Sequence, residues 1–136
     1  MRVVLDANVL VSAVIAQGPS HRIVTRWLEQ GSFEVIVCPM LLAEVEDVLS
    51  RPRIQKRIAS ELAERFLATL GRTAFVVLDP ESAAVYTRDR NDDYIVALAG
   101  ENTVDYIVTG DKDLLEWLDQ HPPVLTPSAF DRLIGE

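Results

Sequence analysis

Short apolar runs alternate along the chain with longer segments in which apolar residues recur every third or fourth position. The short runs are rich in Val and Ile, which is typical of strands, and the longer segments have the spacing of amphipathic helices. This β-α-β-α order predicts an α/β fold, a parallel sheet with helices on both faces. The predicted strands are Val3–Leu5, Phe33–Val37, Ala74–Leu78, Tyr106–Thr109 and Val124–Leu125.

Helix signals fill the segments between these runs. Gly18-Pro19 is expected to stop the first helix, Ser20 to cap the second, and Pro39 to begin the third. After Pro52, apolar residues at every fourth position predict one long helix; they are Ile54, Ile58, Leu62, Phe66 and Leu70. Further helices are predicted to begin near Glu81, Asn91, Asp111 and Ser128.

Composition limits the class of protein. With 136 residues, of which 49% are hydrophobic, the chain is expected to form a single domain over residues 1–136. It has one cysteine, no apolar run of the roughly 18 residues that suggest a membrane span, and no signal-peptide pattern, so we expect a soluble cytoplasmic protein. The net charge of −8 argues against a general nucleic-acid coat protein, whose affinity comes from Lys and Arg.

Acidic residues follow the predicted strands. Asp6 comes directly after the first strand, Glu44 lies in the helix after the second, and Asp111 follows the fourth. Asp92 and Asp93 open the helix before the fourth strand. Because parallel sheets bind ligands outside the carboxyl ends of their strands, these acids are expected to meet in one crevice. Taken singly, the aspartates have an alternative interpretation as helix caps.

Helical spacing leaves two glutamates as candidates in the third helix. Glu44 and Glu46 lie on opposite borders of its apolar stripe, and Glu44 is favoured because it is closer to the strand end. Several carboxylates in one small volume repel one another unless cations are present. The cluster therefore predicts a site for Mg²⁺ or Mn²⁺, which prefer oxygen ligands and can activate water for attack on a phosphodiester.

At these positions the chain resembles the PIN-domain family of ribonucleases, which includes VapC-like toxins of bacterial toxin–antitoxin pairs. The segment from Val3 to Leu10 is similar to the family's first motif, Glu44 to its second acid, Asn91 to Ile95 to its third motif, and Ile107 to Asp113 to its fourth. The resemblance implies a three-layer α/β/α domain with a five-stranded parallel sheet, metal-dependent cleavage of RNA, and homodimers. The segment Val48 to Arg53 also resembles PIN-type toxin components, which implies a small antitoxin as partner.

The resemblance also assigns roles. Asp6, Glu44, Asp93 and Asp111 would be the catalytic metal ligands, with Asp92 as an alternative to Asp93 and Asp113 as an auxiliary ligand. Asn8 would support Asp6 by hydrogen bonding, and the Thr109 hydroxyl would orient a carboxylate or water. A basic cluster is either a solvated helix face or a contact for substrate phosphates; its members are Arg51, Arg53, Lys56 and Arg57.

Two other functions compete with a ribonuclease. A phosphatase or phosphotransferase would use Asp6 as its covalent nucleophile, which suits an Asp just after the first strand. That hypothesis is weakened because Asn8 stands where such an enzyme would have a second Asp. A binding module would keep the fold and use the acids only as helix caps.

Overall fold

Five short strands form one parallel sheet in the computed structural model, which describes residues 1–81, 90–117 and 120–135, and of residues 90–92 the backbone only. The strands are β1 (Arg2–Leu5), β2 (Glu34–Val37), β3 (Phe75–Val76), β4 (Tyr106–Val108) and β5 (Val124–Leu125). All five predicted strands are therefore confirmed, although β3 is shorter than its apolar run. The predicted α/β class and five-stranded parallel sheet are also confirmed.

The strand order across the sheet is β3-β2-β1-β4-β5. The chain moves outward from the central β1 through β2 to β3, and then returns to the other side of β1 to add β4 and β5. The order reverses between β1 and β4, whose residues Leu5 and Val108 are register partners. In sheets of this type the carboxyl ends of the two strands at such a reversal form a crevice where ligands bind.

Helices connect the strands. They are α1 (Ala7–Ile15), α2 (Pro19–Gln30), α3 (Pro39–Leu49), α4 (Pro52–Gln55), α5 (Ser60–Thr73), α6 (Arg90–Glu101), α7 (Lys112–Leu115) and α8 (Pro127–Gly135). Contacts join α1 to α2 and α3, and α2 to α8, in one layer, whereas α6 packs on β1 and β4. Because parallel crossovers are right-handed, the reversal of strand order places α6 on the opposite face of the sheet.

The core lies between these layers and includes the apolar residues of the three central strands, several of which are fully buried. Val3, Val4, Leu5 and Ile107 have no exposed surface, as expected for strands covered on both faces. The edge strand β3 differs, because Phe75 is 53% and Val76 is 49% exposed.

Two helix predictions need correction. The long helix expected after Pro52 is two helices, α4 and α5, because the chain turns between them and Ala59 takes an extended conformation before α5 begins. Leu62 is consequently 51% exposed, although it belongs to the every-fourth-residue series. Ser20 is not the cap of α2; Gly18 occupies the cap position and Pro19 begins the helix. The helix expected near Glu81 falls on residues 82–89, outside the described residues.

A distant side chain caps α3. Its N-cap residue Cys38 offers no side-chain hydrogen bond to the helix. Instead, Asp79, which follows β3, accepts a hydrogen bond of 2.8 Å from the backbone N–H of Met40 in the first turn. This contact fixes the end of β3 against the helix that carries Glu44.

Among the described residues, no helix has both the length and the apolar character needed to cross a membrane.

Candidate active site

Asp6 lies at the carboxyl end of β1, at the reversal of strand order, and is only 4% exposed. A conventional N-cap side chain accepts from the second or third amide of its helix. Asp6 Oδ1 instead accepts from Ala7, the first residue of α1, at 2.7 Å. Its other oxygen, Oδ2, accepts from the Thr109 hydroxyl, also at 2.7 Å. The Asp6 carboxylate is therefore held between the first amide of α1 and the Thr109 hydroxyl that follows β4.

Thr109 follows β4 and is fully buried. Besides donating to Asp6, its Oγ1 accepts a hydrogen bond of 3.0 Å from the Asp111 backbone N–H. Asp111 then caps α7 in the conventional way, since its Oδ1 accepts from the Asp113 N–H at 2.8 Å. One hydroxyl thus connects the ends of the two central strands and fixes the turn that carries Asp111.

Glu44 approaches the same region from α3. It is half-buried, and the Tyr94 hydroxyl on α6 donates to its carboxylate, at 3.3 Å from each oxygen. Glu46 is exposed on a different face of α3. Of the two glutamates that helical spacing left open, Glu44 is therefore the one that lies near Asp6. The sequence analysis predicted no role for Tyr94, which lies within the segment Asn91 to Ile95 that resembles the third motif.

The charges of these acids act on one another. Burial raises the pKa of Asp6 above its ordinary value, and the nearby Asp111 carboxylate raises it further, while the hydrogen bonds from Thr109 and Ala7 lower it. Burial likewise raises the pKa of Glu44, and the Asp6 carboxylate adds to that rise. The structure therefore brings both Glu44 and Asp111 within electrostatic range of Asp6.

The other predicted residues of the acidic site lie on α6, α7 and α1. Asp93 is buried on α6, directly before Tyr94, and the side chain of Asp92 lies outside the described residues. Asp113 is half-buried in α7. Asn8, expected to support Asp6, is exposed, and the described hydrogen bonds to the Asp6 carboxylate come from Ala7 and Thr109 instead.

The basic cluster lies at the end of α3 and along α4, and all four of its side chains belong to exposed residues. Arg51 pairs with Asp47 at 3.1 Å, and its charge also lowers the pKa of Glu44. Arg57 reaches the Ile15 carbonyl at the end of α1, at 3.4 Å. Of the cluster, Arg51 is therefore within electrostatic range of Glu44, whereas Arg57 lies at the end of α1 opposite Asp6.

The donors suit a hard divalent cation. They are carboxylate oxygens, and burial raises the pKa values of Asp6 and Glu44, with a further rise from the charge of Asp111 on Asp6 and of Asp6 on Glu44. Within the described part of the chain, no three His, Cys, Asp or Glu side chains are close enough to enclose a metal ion by themselves. Mg²⁺ does not require such a cage, because it commonly keeps several water ligands and binds through one or two carboxylates.

Comparison with protein families places most of the chain in one family model. The model of a family described as "PIN domain" matches residues 2–113. This range begins in β1 and ends in α7, so it contains Asp6, Glu44, Asp93, Thr109 and Asp111.

Individual proteins are also similar to this chain, one in sequence and two in structure. The uncharacterized protein MJ1680 of Methanocaldococcus jannaschii is 27% identical over 140 residues, which cover 96% of this chain and 89% of that protein. The crystal structure of PAE2754 from Pyrobaculum aerophilum has a TM-score of 0.67 at 17% identity and covers 100% of this chain and 91% of its own. The PIN domain of human SMG5 has a TM-score of 0.54 at 11% identity, over 98% of this chain and 99% of the SMG5 domain. At these identities the two structures show a shared fold.

Proposed function

Because the chain belongs to the PIN domain family, whose members are generally nucleases, we propose that it is a divalent-metal-dependent endoribonuclease. The observation that carries the proposal is the buried Asp6 carboxylate at the reversal of strand order, with Asp111 near enough to raise the pKa of Asp6 and Asp6 near enough to raise the pKa of Glu44. In this proposal Asp6, Glu44, Asp93 and Asp111 are the metal ligands, and Asp92 and Asp113 are the alternative and auxiliary ligands.

The chain's own residues would prepare the site before any ion arrives. Thr109 and the Ala7 N–H each occupy one oxygen of Asp6, and each oxygen keeps a further lone pair for a cation. Two short hydrogen bonds orient Asp6 as a ligand but make it a poorer nucleophile, so they favour the nuclease over a phosphatase that forms an acyl-phosphate on Asp6.

The ions implied are Mg²⁺ or Mn²⁺, one or two of them, each bound through carboxylates among Asp6, Glu44, Asp93 and Asp111 and through water. When bound, such an ion would activate water and stabilise the negative charge that grows on a phosphodiester during cleavage. The ion would also stabilise the ionised form of the carboxylates, because its positive charge offsets the burial and the repulsion that raise the pKa values of Asp6 and Glu44.

The basic cluster is proposed as the contact for the substrate backbone. Its side chains are exposed, the charge of Arg51 reaches Glu44, and an enzyme with a net charge of −8 needs a local positive surface to hold RNA. Arg53 and Lys56 project from α4 as exposed residues and are suited to this contact. Changing both to Ala should weaken RNA binding about equally for all sequences and reduce its salt dependence.

A cleavage assay tests the proposed activity. Wild type and Asp6→Asn are incubated with labelled RNA in Mn²⁺, in Mg²⁺ and in EDTA. We expect cleavage by the wild type only when a cation is present, and at least a hundred-fold lower rate for Asp6→Asn. The matched control is Asp131→Asn, which changes an acid of α8 that pairs with Arg22, and it should cleave at the wild-type rate. Cleavage that survives EDTA, or equal rates for wild type and Asp6→Asn, would rule the proposal out.

We further propose that the enzyme acts as the toxin of a toxin–antitoxin pair, as a homodimer whose activity a small antitoxin protein blocks. The resemblance of Val48 to Arg53 to toxin components supports this role. Expression of the wild type should stop growth, whereas expression of Asp6→Asn should not. Coexpression of a short neighbouring reading frame should restore growth. Normal growth with an enzyme that is active on RNA would contradict the toxin role and leave the ribonuclease intact.

A further inference from the structure

Tyr94 lies directly after Asp93 on α6, and its hydroxyl bridges to α3. The hydroxyl oxygen is 3.3 Å from Oε1 and 3.3 Å from Oε2 of Glu44, so it donates to the carboxylate as a whole. It is also near enough to Asp6 to interact with that charge. A contact between residues 50 positions apart therefore connects α3 with α6.

The two side chains differ in how firmly they are held. Tyr94 is half-buried and packs against the apolar core, and a tyrosine ring has only two torsions to fix. Glu44 is a half-buried side chain with three torsions between its backbone and its carboxylate. Freezing such a flexible side chain costs rotamer entropy. A hydrogen bond from a ring that packing already fixes offsets part of that cost.

We propose that Tyr94 is a positioning residue, which holds the Glu44 carboxylate beside Asp6 and thereby strengthens the binding of a divalent cation. The inference rests on the proposed function, because it concerns the same cation site. The Tyr94 hydroxyl hydrogen leaves most of the lone pairs of the Glu44 carboxylate available to an ion. Tyr94 itself would act only through Glu44.

Calorimetric titration of the full chain with MnCl₂ tests the proposal. Tyr94→Phe removes the hydroxyl and keeps the ring, and we expect Mn²⁺ binding about ten-fold weaker, as is typical when a ligand loses the group that orients it. The matched control is Tyr106→Phe. Tyr106 is also half-buried, but it lies on β4 with its ring 6.2 Å from that of Phe130. This control should bind Mn²⁺ within about two-fold of the wild type, since it removes a hydroxyl of the same kind outside the acidic cluster.

A double-mutant cycle separates positioning from a general effect on the structure. In a Glu44→Gln background, Tyr94→Phe should change Mn²⁺ affinity by less than about two-fold, because the group that Tyr94 orients is no longer a charged ligand. A ten-fold loss in both backgrounds would show that Tyr94 does not act through Glu44 and would overturn the inference. Melting temperatures in EDTA provide the check that both tyrosine variants are folded.

The outcomes also separate this inference from the function on which it rests. If the wild type binds Mn²⁺ and cleaves RNA while Tyr94→Phe binds Mn²⁺ equally well, the positioning role is wrong and the ribonuclease stands. If the wild type binds no Mn²⁺, both proposals fail together. Three results together support both proposals. Tyr94→Phe binds Mn²⁺ more weakly, Tyr106→Phe binds it as the wild type does, and the effect of Tyr94→Phe depends on Glu44.

Discussion

Replacing Thr109 with Val keeps the outline of a fully buried side chain and removes only its hydroxyl, which makes two hydrogen bonds at the ends of β1 and β4. The bond to the Asp6 carboxylate involves a charged acceptor, and losing such a bond costs about 1.5–3 kcal/mol. The bond from the Asp111 N–H is between neutral groups and is worth about 1 kcal/mol. We therefore expect the Thr109→Val variant to lose about 2.5–4 kcal/mol of unfolding free energy at neutral pH.

Thr109→Ser is the matched control, because it keeps the hydroxyl and removes one methyl group. Burial of one such group is worth about 0.8 kcal/mol, so Ser should cost about 1 kcal/mol. Urea denaturation in EDTA measures both variants without any contribution from bound metal. A Val variant that loses less than the Ser variant would show that packing of the methyl, and not the hydroxyl, makes Thr109 important here.

Three further predictions concern other parts of the chain. Because burial raises the pKa of Asp6, its stabilising contribution is present below the ordinary value of 3.8 and is lost as the pH rises through the higher folded pKa. In EDTA, Asp6→Asn should therefore gain stability relative to wild type between about pH 3.5 and pH 7. Urea denaturation at both pH values measures this, and a stability difference that does not change with pH would contradict it. Asp79→Ala should cost about 0.5–2 kcal/mol, because it removes the hydrogen bond to the Met40 N–H in α3, and a loss too small to measure by denaturation would contradict this. Burial raises the pKa of Cys38 to about 11, so a thiol reagent at pH 8 should modify it in urea but hardly at all in the folded protein.

The sequence predicts the sheet well because its strands are marked by physical signals that act locally. Runs such as Val3–Leu5 are continuously apolar, as strands buried on both faces must be, and their order with the helices indicates parallel pairing. The places of Asp6 and Asp111 follow from the same signals, since an acid in the turn just after a strand lies near the carboxyl edge of the sheet.

Other features depend on contacts that no local pattern encodes. The every-fourth-residue series through Leu62 suggests one helix, yet the chain turns before α5 and leaves that leucine half exposed. Asp79 caps α3 from 39 residues away, and Tyr94 reaches Glu44 across 50. Helical periodicity likewise left Glu44 and Glu46 open; closeness to the strand end favoured Glu44, and the contact with Tyr94 on α6 shows what that position does.

The central claim is that the acids at the reversal of strand order form a binding site for a divalent cation. Its most direct test is calorimetric titration of Mn²⁺ into wild type and Asp6→Asn at neutral pH, in the absence of RNA. We expect saturable binding by the wild type, and binding at least ten-fold weaker, or none, by Asp6→Asn. Equal binding by the two proteins, or no binding by the wild type, would contradict the account.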